Sequence, residues 1–147
     1  MIDVVFRKLH ADAKVPTYGT AYSAGADLYA YAEAPVVIPP HTTVLIHTGI
    51  CMAIPEGFGG FVFARSGLAT KKGLAPANKV GVIDSDYRGE IMIPLHNSTD
   101  TEAVLEPFDR VAQMVFLPYA AAAFIEGNLE DTERGEGGFG STGVSGK

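Results

Sequence analysis

No tryptophan occurs among the 147 residues, and cysteine occurs once, at Cys51. A single thiol excludes an internal disulfide and a cysteine-based zinc site. Set in the apolar run Ile50-Cys51-Met52, it reads as a core residue and not a nucleophile. Charge is also scarce: 19% of the residues are charged, with 11 basic against 17 acidic side chains and a net charge of −6. That balance opposes gripping duplex nucleic acid or anionic lipid by neutralising phosphates, so neither is expected as a partner. A small anionic ligand remains open. Long apolar runs are missing, since stretches such as residues 120–125 fall far short of the roughly 20 residues that span a bilayer. The opening Met1-Ile2-Asp3-Val4 lacks the basic and apolar regions of a secretory leader, and a cytoplasmic location is expected. His10, His41, His47 and His96 are scattered without an H-E-x-x-H spacing, which argues against tightly bound zinc.

Hydrophobic residues reach 47%, enough to bury a core that offsets the ordering entropy of one domain. With 17 glycines and 9 prolines the chain favours many turns and short strands over long helices. Strand-like runs rich in Val, Ile, Phe and Tyr lie at residues 4–9, 27–32, 36–38, 43–54, 61–64, 80–83, 90–96, 111–119 and 122–126. Such a set suits a closed double sheet. One short helix is expected over residues 66–72, with Ser66 as N-cap and Gly73 as terminator. Residues 134–147 change character, with six glycines and the single aromatic Phe139. Composition alone reads this end as a disordered tail. Its Arg134, Phe139, Ser141 and Thr142 are nevertheless groups that contact phosphorylated ligands.

Gly138-Phe139-Gly140-Ser141-Thr142-Gly143 fits G-x-G-x-x-G, but too few residues follow to form the helix of a dinucleotide fold. Glycine-rich backbone can still wrap phosphates with its N–H groups. Asp84-Ser85-Asp86-Tyr87-Arg88-Gly89 opens like a calcium loop, yet Arg88 and Leu95 fall where oxygen ligands are required. Within it, Asp86 to Gly89 reads better as a hairpin turn joining 80–83 to 90–93. A turn does not need Asp84, the carboxylate that ends an apolar strand; it is either a solvated turn residue or a base in a cleft.

Five segments in order resemble the five motifs of the trimeric deoxyuridine triphosphate nucleotidohydrolases, the dUTPases. They are Ala24-Gly25-Ala26-Asp27-Leu28, Arg65-Ser66-Gly67-Leu68, Gly81-Val82-Ile83-Asp84-Ser85-Asp86-Tyr87-Arg88-Gly89-Glu90, Asp109-Arg110-Val111-Ala112-Gln113, and residues 134–143. Ala64, Lys79 and Phe108 depart from the family pattern, the last standing where glycine usually precedes the aspartate. The resemblance implies an all-β, distorted jelly-roll β-barrel with one short helix, in a homotrimer whose active sites are shared between subunits. Residues 1–133 would form the jelly-roll domain and 134–147 a glycine-rich lid.

The implied reaction is hydrolysis of dUTP to dUMP and pyrophosphate with Mg²⁺, which keeps uracil out of DNA and supplies dUMP for thymidylate synthesis. Asp84 would activate water for attack at the α-phosphorus. Asn78, Gly81, Val82, Ile83 and Met92 would form the uracil site, with Tyr87 against the deoxyribose and Phe139 stacked on the base. Arg65, Ser66, Gly67, Gln113, Arg134, Gly140, Ser141 and Thr142 would hold the phosphates, and Asp27 would reach Mg²⁺ through water. Arg110 reads better as an ion pair with Asp109 or Asp27. Rival readings are a dCTP deaminase-like nucleotide enzyme, which generally lacks the Asp84-Tyr87 pairing and the glycine-rich tail, and a non-catalytic jelly-roll binding module.

Overall fold

The computed structural model describes residues 1–138. Its elements are β1 (Val5–Lys8), β2 (Thr17–Tyr18), β3 (Ala26–Tyr29), β4 (Val36–Ile38), β5 (Thr43–Ala53), β6 (Phe58–Phe63), α1 (Ser66–Lys72), β7 (Leu74–Pro76), β8 (Gly81–Ile83), β9 (Glu90–Asn97), β10 (Ala103–Leu105) and β11 (Arg110–Pro118). They form a four-stranded sheet ordered β1-β5-β9-β7, a five-stranded sheet ordered β2-β3-β11-β6-β8, and the pair β10-β4. Every pairing is antiparallel.

Alternation of side chains across a strand fixes where the core lies. On β9, Ile91, Ile93, Leu95 and Asn97 are buried while the residues between them are not. They meet Ile46, Ile50 and Met52 of β5 in one cluster with Leu28, Val62, Val111 and Met114 from the five-stranded sheet. Ile38 and Leu105 bring the small sheet to the same cluster. Each such aliphatic side chain contributes about 1.5–3 kcal/mol on full burial. Asn97 and Thr48 are the buried polar residues among those described, and the Asn97 amide is fully engaged. Its Nδ2 donates to the carbonyls of Ile38 and Thr101 at 3.0 and 2.8 Å, and its Oδ1 accepts from the Thr99 amide and hydroxyl at 3.0 and 2.8 Å.

Several expectations need correction. Among the described residues the sheets do not close into a barrel: no ladder joins the three of them, and β1, β7, β2 and β8 remain edges. Residues 122–126 form no strand. Phe124 is 99% exposed, and β-propensity alone cannot make a strand where no neighbour takes up the backbone hydrogen bonds. The helix has the expected span and ends at Gly73 in the left-handed region (φ 63°), but Arg65 is its N-cap and Ser66 its first residue, with no side-chain cap bond. Finally, residues 86–89, expected as a hairpin turn, turn none. β8 pairs with β6, whereas β9 is taken by β5 and β7, so this connection carries the chain from one sheet to the other.

Candidate active site

That crossing shapes one half of the site. Among the described residues β8 pairs on one side only, leaving the other edge of Gly81, Val82 and Ile83 available for hydrogen bonding. Beyond it, Asp84 and Tyr87 line a cavity of about 230 Å³ together with Val82, Ile83, Glu90, Met92 and Leu45. Six of the residues expected for base, sugar and chemistry thus fall on or beside one edge strand. Asn78 precedes β8, exposed, and Gly81 is where a Cβ would press on the Asn78 Nδ2 and on Val62. The absence of a side chain at Gly81 therefore leaves room for the Asn78 amide.

The loop itself is held by its own bonds. The Tyr87 amide donates to the Asp84 carbonyl at 3.2 Å, and the Tyr87 hydroxyl donates to the Glu90 carbonyl at 3.0 Å. Arg88 Nη1 donates to the Ser85 and Tyr87 carbonyls at 2.7 and 2.9 Å. The Tyr87 ring folds over Gly89 so closely that any Cβ there would collide with it.

The other half gathers around Asp27, on β3. Its Oδ1 accepts from Arg65 Nε at 2.7 Å and its Oδ2 from Arg110 Nη1 at 3.2 Å, which settles the pairing of Arg110. Asp109, the other partner considered, instead accepts the Glu106 amide at 3.0 Å within its turn. Arg65 also donates through Nη1 to the Arg110 carbonyl at 3.3 Å. Gln113 lies opposite Asp27 in the β11-β3 ladder, and its Nε2 donates to the Ala64 carbonyl at 2.9 Å. Gly25 packs so closely on Gln113 that a Cβ would stand 2.6 Å from Gln113 Oε1. Ser66 and Gly67 open α1, where backbone N–H groups have no partner within the helix.

These groups line a cavity of about 440 Å³ that also receives Lys71 and Lys72 from the end of α1. Arg65, Arg110, Lys71 and Lys72 face Asp27 and Asp109 there, four cations against two carboxylates. In a chain of net charge −6, this local positive excess suits a polyanion. The two lysines were missed in the sequence, although their place at the C-terminal turn of the expected helix marks them.

Not every expected residue joins these cavities. Arg134 is exposed and donates through Nε to the Gly137 carbonyl at 2.8 Å, and it lines neither. Phe139, Gly140, Ser141 and Thr142 lie outside the described residues. The cavity of Asp84 and Tyr87 and the cavity of Arg65 and Gln113 have no lining residue in common.

Among the described residues no three His, Cys, Asp or Glu side chains cluster as a metal cage. Both Asp27 oxygens are engaged by arginines, so a direct metal bond would compete with two ion pairs. Each oxygen retains lone-pair capacity for a metal-bound water, which fits an ion whose direct ligands are phosphate oxygens and waters.

The chain matches the dUTPase family over residues 11–143. It is 52% identical over 134 residues to the deoxyuridine 5′-triphosphate nucleotidohydrolase of Desulfitobacterium hafniense, covering 90% of this chain and 89% of the relative. The enzyme of that name from Hydrogenobaculum is 44% identical over 142 residues, covering 96% and 98%. The dUTPase of Staphylococcus bacteriophage 80alpha, solved with dUpNHpp, superposes with a TM-score of 0.87 at 26% identity, covering 98% of this chain and all of that one (100%). Sequence, fold and family match agree: the chain belongs to the dUTPase family, the deoxyuridine 5′-triphosphate nucleotidohydrolases.

Proposed function

We propose that this chain hydrolyses dUTP to dUMP and pyrophosphate by in-line attack of water at the α-phosphorus, with Asp84 taking the water's proton. The observation that carries this reading is the shared cavity of Asp84 and Tyr87 at the free edge of β8. A carboxylate placed there can orient and deprotonate a water beside the α-phosphorus of a nucleotide whose base lies along β8. Backbone groups of Val82 and Ile83, with the Asn78 amide, read uracil. Cytosine would present a donor where uracil presents an acceptor and leave buried groups unpaired. Gly81 and Met92 bound the base slot, and the Tyr87 ring occupies the space of a ribose 2′-hydroxyl.

The cavity around Asp27 takes the triphosphate. Arg65 offers charge, Ser66 and Gly67 offer backbone N–H groups, and Gln113 offers its amide. When bound, Mg²⁺ neutralises phosphate charge and fixes the triphosphate's shape, and Asp27 would hold it through water. The two cavities share no lining residue. In this reading a second copy completes the site, so that Asp84 of one subunit would face the phosphate groups of another within a homotrimer with shared sites. Residues 134–147 are then a lid apart from the 1–133 domain, bringing Arg134, Phe139, Gly140, Ser141 and Thr142 over base and phosphates. Removal of dUTP in this way keeps uracil from DNA and yields dUMP for thymidylate synthesis.

The test incubates the protein with Mg²⁺ and each deoxynucleoside triphosphate separately, measuring pyrophosphate and the nucleotide product. Release from dUTP alone is expected. Conversion of dCTP to dUTP would point to a deaminase, and absence of turnover to a binding module.

A further inference from the structure

Glu90 is the residue through which the Tyr87 loop meets the opposite strand. Its side chain is 15% exposed and reaches from β9 to a bulge in β5, between His47 and Cys51. There Oε1 accepts the amides of Thr48 and Gly49 at 3.1 and 2.7 Å, and Oε2 meets His47 Nδ1 at 2.8 Å. Those amides belong to a stretch where the β5-β9 register breaks, and Gly49 is in the left-handed region (φ 69°), so the ladder does not supply their acceptors. The main chain of the same residue accepts the Tyr87 hydroxyl at 3.0 Å. One residue therefore joins the bulge, through its carboxylate, to the aromatic ring, through its carbonyl.

We infer that Glu90 is a positioning residue for sugar selectivity: its carboxylate clamps the start of β9 to the β5 bulge and thereby fixes the carbonyl on which the Tyr87 ring is anchored. The inference rests on the reading of Tyr87 as the group that excludes a 2′-hydroxyl. The ring cannot hold its own place. It is 39% exposed, it sits on a glycine, and its hydroxyl has one hydrogen bond among the described residues. If the start of β9 shifts, the anchor shifts with it, and a displacement of about 1 Å at a positioned group can cost about a hundredfold in rate.

The experiment measures kcat/KM for dUTP and for UTP in the wild type and in Glu90→Ala, Glu90→Asp, Glu90→Gln, Tyr87→Ala and the Glu90→Ala/Tyr87→Ala pair. Glu90→Ala and Glu90→Asp, which remove or shorten the clamp, are expected to lower the dUTP:UTP ratio about tenfold or more. Glu90→Gln keeps an acceptor for both backbone amides and should retain most of the ratio. In the double variant the ratio should fall no further than in Tyr87→Ala alone, since both changes act through one ring. If Glu90→Ala does not fold, Glu90→Asp carries the test. The inference is overturned if Tyr87→Ala lowers the ratio while both shortened variants keep it, or if Glu90→Gln falls as far as Glu90→Ala. A Tyr87→Ala protein with the wild-type ratio overturns the reading of Tyr87 itself, a distinguishable failure that takes the role of Glu90 with it.

Discussion

Arg65 donates its Nε to Asp27 at 2.7 Å, and that bond orients a guanidinium that would otherwise be free to sweep the cavity. With Arg110 on the second carboxylate oxygen, Asp27 organises two of the cations that line this cavity. Asp27→Asn should therefore lower kcat/KM for dUTP about ten- to a hundredfold, since misplaced phosphate groups misalign the α-phosphorus. Stability should fall by about 1–3 kcal/mol, because the one amide oxygen can accept from only one of the two arginines and the new NH₂ group faces the other donor. Steady-state kinetics with a thermal melt checks this, and wild-type kcat/KM would contradict it.

Glu90 also gives a pH dependence with a definite sign. Burial opposes its charged form, but the bonds from His47 and the Gly49 and Thr48 amides, with the His47 charge, outweigh that and hold the carboxyl below its ordinary value of 4.5. A lowered folded-state value means stabilisation that is complete above the unfolded value and lost as the pH falls through the folded one. The Tm advantage of the wild type over Glu90→Gln should shrink between about pH 5 and pH 3. A difference that stays constant across this range would show that the carboxylate is not linked to folding.

Two departures from the family pattern share a backbone peculiarity. Lys79 (φ 67°) and Phe108 (φ 66°) are both left-handed, which costs a side chain about 1–2 kcal/mol. Phe108 has compensation, with its ring edge-on to Tyr31 at 6.3 Å and Lys14 Nζ 5.2 Å from its centroid. Lys79 is exposed. Lys79→Gly should raise Tm slightly, while Phe108→Gly should lower it because lost packing exceeds relieved strain. Equal shifts in the two melts would count against this difference.

Truncation after Glu133 should leave a folded protein that hydrolyses dUTP poorly, since residues 131–136 are exposed and contribute no core. Mixing the truncated chain with full-length Asp84→Asn should restore activity once subunits exchange, if the lid serves a neighbour's site. Mixed oligomers verified by mass but lacking activity would place the lid on its own subunit.

Much of the fold was legible where one rule acted alone. β9 alternates strictly, β5 is a long run rich in Val, Leu and Ile, and the helix over 66–72 ends in lysines and a glycine. The short strands Thr17–Tyr18, Leu74–Pro76 and Ala103–Leu105 were not, because two or three residues become a strand only through the partner that pairs with them. The same dependence misled at 122–126 and made 86–89 look like a hairpin turn. In the site, Asp84 stood out as a carboxylate ending an apolar strand, whereas Tyr87, Arg65 and Gln113 were singled out through the resemblance to the family's motifs. What sequence spacing could not tell is that Arg65 and Arg110 converge on Asp27 from positions far apart, or that Glu90 spans two strands.

The most direct measurement is the turnover of Asp84→Asn at saturating dUTP, taken beside its affinity for the same nucleotide. The amide keeps the shape of the carboxylate but cannot take the water's proton, so kcat should fall about 10²–10⁴-fold while dUTP still binds. Turnover at the wild-type rate in a variant that binds dUTP normally would remove Asp84 from the chemistry.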